Sequence, residues 1–280
     1  MQRSLWFRAV LFAALAPLGC LGQKVFEPAC AAPAFPSPPP SQAPAIDTLC
    51  GPAGGGGVEA TQNVVKNNFC ATGVPQPITI ADLEKLQTQV ASDPIIDFGD
   101  ENSGSRKKGP QFDRTPLQAL GEGKMVVLTA YVLLARQEGA ESVNCENNVP
   151  NQAAYHDIHI ELVDSATATD ECSGVVAEMI PHHRPDSWTA GDIGKLANGT
   201  PKPMVRLTGQ LFFDSSHFPC DNGQAVRSNP KRISLWEIHP IYRFEVCSTG
   251  TCTADGEWLA LDEWLKTNSK TKPASATSQQ

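Results

Sequence analysis

Apolar residues follow two rhythms along this chain. Between residues 58 and 90 they recur at helical spacing. "VEATQNVVKNNF" places Val58, Val65 and Phe69 near one face, and "TIADLEKLQTQV" sets Ile80, Leu83, Leu86 and Val90 in a stripe. Thr79, three residues before Asp82, outlines a capping box at the start of that second helix. From Lys124 onward the pattern alternates and is rich in β-branched and aromatic residues, as strands are. The segments "KMVVLTAYVLLAR", "AYHDIHIELVD" and "GVVAEMI" read as three strands, "PDSWTAGDIGKLA" as a helix, and "MVRLTGQLFFD" and "RISLWEIHPIYRFEVC" as two more strands. The tail "DGEWLALDEWLK" reads as a short amphipathic helix, with Trp258, Leu261 and Leu265 available for packing.

The order β-β-β-α-β-β resembles the OB-fold, a five-stranded Greek-key barrel with its helix between the third and fourth strands. The expected class is therefore mainly β: an OB-like barrel with a small N-terminal helical segment and a C-terminal helix. Gly209, in the middle of the fourth strand, marks a sharp bend or a close approach of another backbone. Alternation sorts the side chains. His156, Ile158, Ile160 and Leu162 fall on one side of the second strand, and Asp157, His159 and Glu161 on the other. In the fifth strand Trp236, Ile238, Tyr242, Phe244 and Val246 are expected inside, and Glu237, His239 and Arg243 outside. Glu178 is expected outside on the third strand.

Composition adds the flanks. The 280 residues are 41% hydrophobic, enough for one sizeable core, and carry a net charge of −8. Residues 1–22, with Arg3, Arg8 and the apolar run "AVLFAALAPLG", read as an export signal. "APLGC" offers lipidation at Cys20 as the alternative to ordinary cleavage, and a lipid there would be the one route to a membrane. Residues 23–49 form a Pro-rich linker, 50–116 a small helical or irregular segment, 117–250 the barrel, and 251–280 the C-terminal helix and a disordered tail. Loss of residues 1–22 leaves 20 basic against 30 acidic residues, a charge of −10, so non-specific coating of nucleic acid is not expected.

Nine cysteines fit an exported chain, either secreted or periplasmic, stabilised by disulfides. With Cys20 removed or lipidated, eight remain, and no pair has the C-x2-C spacing of a zinc–thiolate site. Cys50–Cys70 would clip the helical segment, and the inferred topology suggests Cys145–Cys247 and Cys172–Cys220.

The stretches "KNNFCATG", "ESVNC", "DIHIELVD", "VAEMIPHHRP", "GQLFFDSSHFPC" and "SLWEIHPIYRFEVC" resemble a group of uncharacterised exported bacterial proteins, over about Cys50 to Trp264. The resemblance implies an exported barrel and carries no catalytic residues.

The candidate site follows from topology. When the third strand lies beside the second and the fifth, Asp157, His159, Glu178, Glu237 and His239 share one outer face, the face on which OB-folds bind oligonucleotides and oligosaccharides. Asp214 and His217 stand at its rim, and Arg243 further along the fifth strand. A solvated polar face is the plainer reading, since antiparallel barrels normally have one. Imidazole with carboxylate also suits a divalent transition metal such as zinc, with His159, His239 and Asp157 as ligands. It suits proton transfer as well. No nucleophile elbow surrounds Ser215 and Ser216, and "GPAGGGG" lacks the Lys-Ser/Thr of a P-loop. Two functions lead, with an envelope-tethered structural protein as a third possibility. The first is an exported binding module for a polar oligomer or a protein partner. The second is a metal-dependent hydrolase, phosphodiesterase- or nuclease-like, that uses the same face.

Overall fold

The structure is a computed structural model, and it describes residues 51–68, 71–93, 96, 113–146, 149–182, 184–185, 188–220, 230–250, 252–253 and 255–269. The residues expected to form an export signal and a linker, Cys20, and the expected Cys50–Cys70 pair lie outside the described residues. No helix among the described residues is long and apolar enough to cross a membrane.

Five strands close into a mixed barrel: β2 (Met125–Gln137), β3 (Ile158–Val163), β4 (Val175–Met179), β5 (Met204–Phe213) and β6 (Trp236–Cys247). Their order round the barrel is β2-β3-β4-β6-β5, and β5 pairs back onto β2. Neighbours are antiparallel except β4 and β6, which run parallel through Ala177 and Ile238. The short β1 (Gln76–Ile78) extends the sheet beside β2, and β7 (Trp258–Ala260) extends it beside β6. The helices are α1 (Ala60–Lys66), α2 (Ile80–Ser92), α3 (Thr115–Leu120), α4 (Ala190–Ala197) and α5 (Leu261–Ser269).

The core is the alternating set. Ile158, Ile160 and Leu162 of β3, Val175, Ala177 and Met179 of β4, and Trp236, Ile238, Phe244 and Val246 of β6 pack with Leu128, Val132, Leu207 and Phe213. Helix α4, capped by Thr189, adds Ile193 and Leu196. The capping box of α2 forms as the sequence suggests: Thr79 accepts from the Asp82 N–H, and the Asp82 carboxylate accepts from the Thr79 N–H. Ile80, Leu83 and Val90 of that helix join the core, with Leu86 packed at its edge. Gly209 is a close approach of backbones, because a Cβ there would stand 2.4 Å from both Ile238 Cγ2 and the Pro240 carbonyl oxygen.

Three expectations change. The alternation of β6 slips around Pro240, where the register with β5 is irregular, so Ile241 and not Tyr242 enters the core. The Tyr242 hydroxyl instead donates to the Asn68 carbonyl and accepts from the Ala71 N–H. Trp258 opens a strand rather than a helix and lies under the Arg206 guanidinium at 4.5 Å, so α5 starts only at Leu261. Cys172–Cys220 forms as expected, but Cys247 pairs with Cys252 and not with Cys145. The reason is length. Cys247 stands level with the Tyr131 end of the β2–β5 pairing, through Val205, while β2 runs on to Gln137 before the chain reaches Cys145. A turn after β6 then returns Cys252 to within 5.7 Å (Cα–Cα) of Cys247. Cys145 is itself disulfide-bonded.

The segment before the barrel docks on it. Gln210 of β5 donates to the carbonyls of Val65 and His239, which clamps α1 against β6. The face that α1 lays down is polar. Gln62, Asn63 and Lys66 are buried, whereas Val64 is 46% exposed, and Val65 of the expected apolar stripe is half-buried. Phe69 and the side chain of Val58 lie outside the described residues.

Candidate functional site

Strand register assembles the site. His159 is the direct partner of Glu178 across β3 and β4, and the Ala177–Ile238 pairing sets Glu178 beside Glu237 and His239 of β6. Asp157, two residues before His159, falls on the same side. The structure therefore brings Asp157, His159, Glu178, Glu237 and His239 together. They do not form an open face, however. Asp157, Glu178, Glu237 and His239 are fully buried and His159 nearly so, beneath α1, the segment around Glu138–Asn144, and Arg232. Arg243 stays apart, half-buried beside Glu245 at 3.8 Å.

Sequence reasoning missed Lys66, Glu141, Asn144 and Arg232. Lys66 Nζ lies 3.4 Å from Glu178 Oε2 and 3.8 Å from Glu141 Oε2. Arg232 Nη1 donates to Glu237 Oε2 at 2.7 Å and lies 3.6 Å from Asp214 Oδ2. Asn144 Nδ2 donates to Asp157 Oδ1 at 2.8 Å. The available signal was the polar stripe Gln62, Asn63, Lys66, Asn67, which has helical spacing of its own. Phe212, the register partner of Glu237, walls the site, with its ring 5.5 Å from that of His239 and 5.7 Å from Lys66 Nζ.

Both imidazoles stand at ion-pair distance from carboxylates. His159 Nε2 is 3.0 Å from Glu178 Oε1 and 3.3 Å from Glu141 Oε1, and His239 Nε2 is 2.9 Å from Glu178 Oε2 and 3.8 Å from Asp157 Oδ2. None of these approaches has hydrogen-bond angles. Both ring nitrogens of His159 and of His239 are buried with no hydrogen-bond partner among the described residues, as are Asp157 Oδ2, Glu178 Oε1 and Glu237 Oε1. An unmade hydrogen bond at a buried polar atom costs about 1–3 kcal/mol. The ion pairs at Nε2 of both rings offset part of that cost, whereas His239 Nδ1 and Glu237 Oε1 lack even an ion pair among the described residues, as suits a place that meets a ligand.

The ligand atoms fall into two sets, each within 4.8 Å of one another: Glu141, Asp157, His159 and Glu178, and then Glu178, Glu237 and His239. Charge tells the same story. Asp157, Glu178, Glu237 and Glu141 are four carboxylates against the fixed cations Lys66 and Arg232, so two more positive charges are needed. Protons supply them. Burial disfavours charge on His159 and His239, but Glu178 beside both, with Glu141 and Asp157, outweighs it and pushes each up to about 9. Burial, helped by Glu178 and Asp214, pushes Glu237 up to about 8. Burial also opposes ionisation of Glu178 and Asp214. The first is nevertheless held well below the carboxylate range by His159 and Lys66, and the second by His217 and Lys66.

A cleft of about 280 Å³ opens beside the cluster, lined among others by Lys66, Glu141, Glu59, Glu146, Ser216 and His217. Glu141 belongs to both cluster and cleft. His217 is held through Nδ1 by the buried Asp214 carboxylate. The other Asp214 oxygen accepts from the Ser216 N–H at 2.8 Å and from Gln62 Nε2 at 3.3 Å. This His–Asp pair is separate from the cluster and faces the cleft.

No protein-family model, no curated protein and no solved structure matches this chain.

Proposed function

We propose that the protein is an exported metal-dependent hydrolase acting on a small polar substrate in the cleft beside His159. The single observation that carries this reading is the close, buried set of ligand atoms around Glu178. His159, Asp157, Glu178 and Glu141 supply one imidazole and three carboxylates, a donor set suited to Zn²⁺ or Mn²⁺. The support behind the ligands has the form metal sites use, since Asn144 fixes one oxygen of Asp157 and leaves the other bare. A bound ion would act as a Lewis acid and lower the pKa of water.

The chain's own groups do the rest. Glu141 belongs to the ligand set and also lines the cleft, so an ion held there would lie behind the cleft wall at Glu141. Lys66 lines the same wall. His217, oriented by Asp214, is placed to give or take a proton. Glu59, Glu141 and Glu146 outnumber Lys66 along the lining, and that balance disfavours a polyanion such as nucleic acid. An oligomer-binding module would need the face of β3 and β4 free, and the chain's own α1 covers it, so the hydrolase reading is the better supported.

The test is direct. Protein stripped with EDTA, reloaded with Zn²⁺ and dialysed is analysed for metal and assayed on chromogenic esters and phosphodiesters. The expected result is retained zinc, hydrolysis absent from the stripped form, and loss of retained zinc at this set in His159→Ala. A folded chain that keeps no divalent ion after dialysis rejects the proposal.

A further inference from the structure

The proposed site accounts for one ion. Several atoms of the cluster do not belong to it. His239 and Glu237 form their own set with Glu178, and only Glu178 is common to both sets. The two Glu178 oxygens point different ways: Oε1 lies 3.0 Å from His159 Nε2, and Oε2 lies 2.9 Å from His239 Nε2. A carboxylate offering one oxygen to each of two imidazoles is placed as a bridge, and paired ions in hydrolytic sites stand about 3.5–4 Å apart.

We infer that the cluster holds two divalent ions bridged by Glu178, the first with His159 and Asp157, the second with His239 and Glu237. The inference rests on the metal-site reading above and adds a second ion to it. The second set carries its own independent mark: His239 is fully buried, and neither of its ring nitrogens has a hydrogen-bond partner among the described residues. Glu237 repeats the arrangement at Asp157. One oxygen is fixed by Arg232 at 2.7 Å, and the other, Oε1, is buried and bare. Lys66 competes for the bridge, since its ammonium lies 3.4 Å from the oxygen facing His239. It also lines the cleft, and the bridge requires it to yield that oxygen to a cation.

The probe is Mn²⁺ alone, titrated into EDTA-stripped full-length protein, with metal counted after dialysis and the electron paramagnetic resonance spectrum recorded. Two Mn²⁺ per chain with an exchange-coupled spectrum is the expected result. Glu237→Gln, which keeps an oxygen for Arg232, should bring the count from two to one and abolish the coupling; His239→Asn serves as the second variant, and circular dichroism reports whether each folds. One Mn²⁺ per chain in the unmodified protein overturns the second ion and leaves the hydrolase reading standing. Two ions with the spectrum of isolated Mn²⁺ overturn the bridge. No bound ion overturns both proposals.

Discussion

Stripped of metal, the protein should lose stability as pH rises through the neutral range, and the loss can be sized from the cluster. His159 and His239 are each lifted from 6.5 to about 9 in the folded chain, chiefly by Glu178 against the opposition of burial. A group whose pKa is higher folded than unfolded adds stability that is complete below the unfolded value and is gone once pH passes the folded one. Each imidazole therefore contributes about 3 kcal/mol at pH 6, lost between about pH 6.5 and 9. The sum for the pair is smaller than twice that, because both lean on the same carboxylate. Glu237, raised from 4.5 to about 8, works in the same direction at lower pH. Glu178 and Asp214, held well below their ordinary range, give stability that disappears as pH falls through their folded values. The stripped protein should thus be most stable at about pH 5. Urea unfolding in EDTA, followed by the fluorescence of the buried Trp188 and Trp236, measures it. Between pH 6.5 and 9.5 the unfolding free energy should fall by about 3 kcal/mol or more, and Glu178→Gln should flatten that slope. A constant unfolding free energy across that interval would refute the reasoning.

Two further perturbations probe the frame that holds the site. Gly209→Ala drives a methyl to 2.4 Å from Ile238 Cγ2 and from the Pro240 carbonyl oxygen, so β5 and β6 must part; a loss of about 1–3 kcal/mol or more in chemical denaturation is expected. The two disulfides should differ by the length of chain they close. Removing Cys172–Cys220, which spans 48 residues, should cost ~4 kcal/mol, and removing Cys247–Cys252, which spans 5, ~2 kcal/mol. Alanine pairs compared by urea denaturation give the ranking, and equal losses would contradict it.

Much of the barrel was legible because a strand has a side-chain period of two. That period alone separates Ile158 and Ile160 from His159 and Glu161, and Trp236 and Ile238 from Glu237 and His239. It fails at Pro240, where an irregular register exchanges Tyr242 for Ile241, since local alternation carries no information about a partner strand's bulge. The Cys247 pairing escaped for a similar reason. It depends on how far β2 outruns β6 and on the turn that carries Cys252 back, and strand order states neither.

Strand order and alternation, both written in the sequence, determined that two imidazoles and three carboxylates lie on one side of three adjacent strands. Whether that side meets water was decided only by the fold. The polar stripe of α1 reads as solvent-facing when taken alone, because burying Gln62 and Lys66 is unfavourable until partners are found for them. Those partners, Asp214, Ser216 and Glu178, stand 112 to 154 residues away along the chain, and only closure of the barrel brings them within reach.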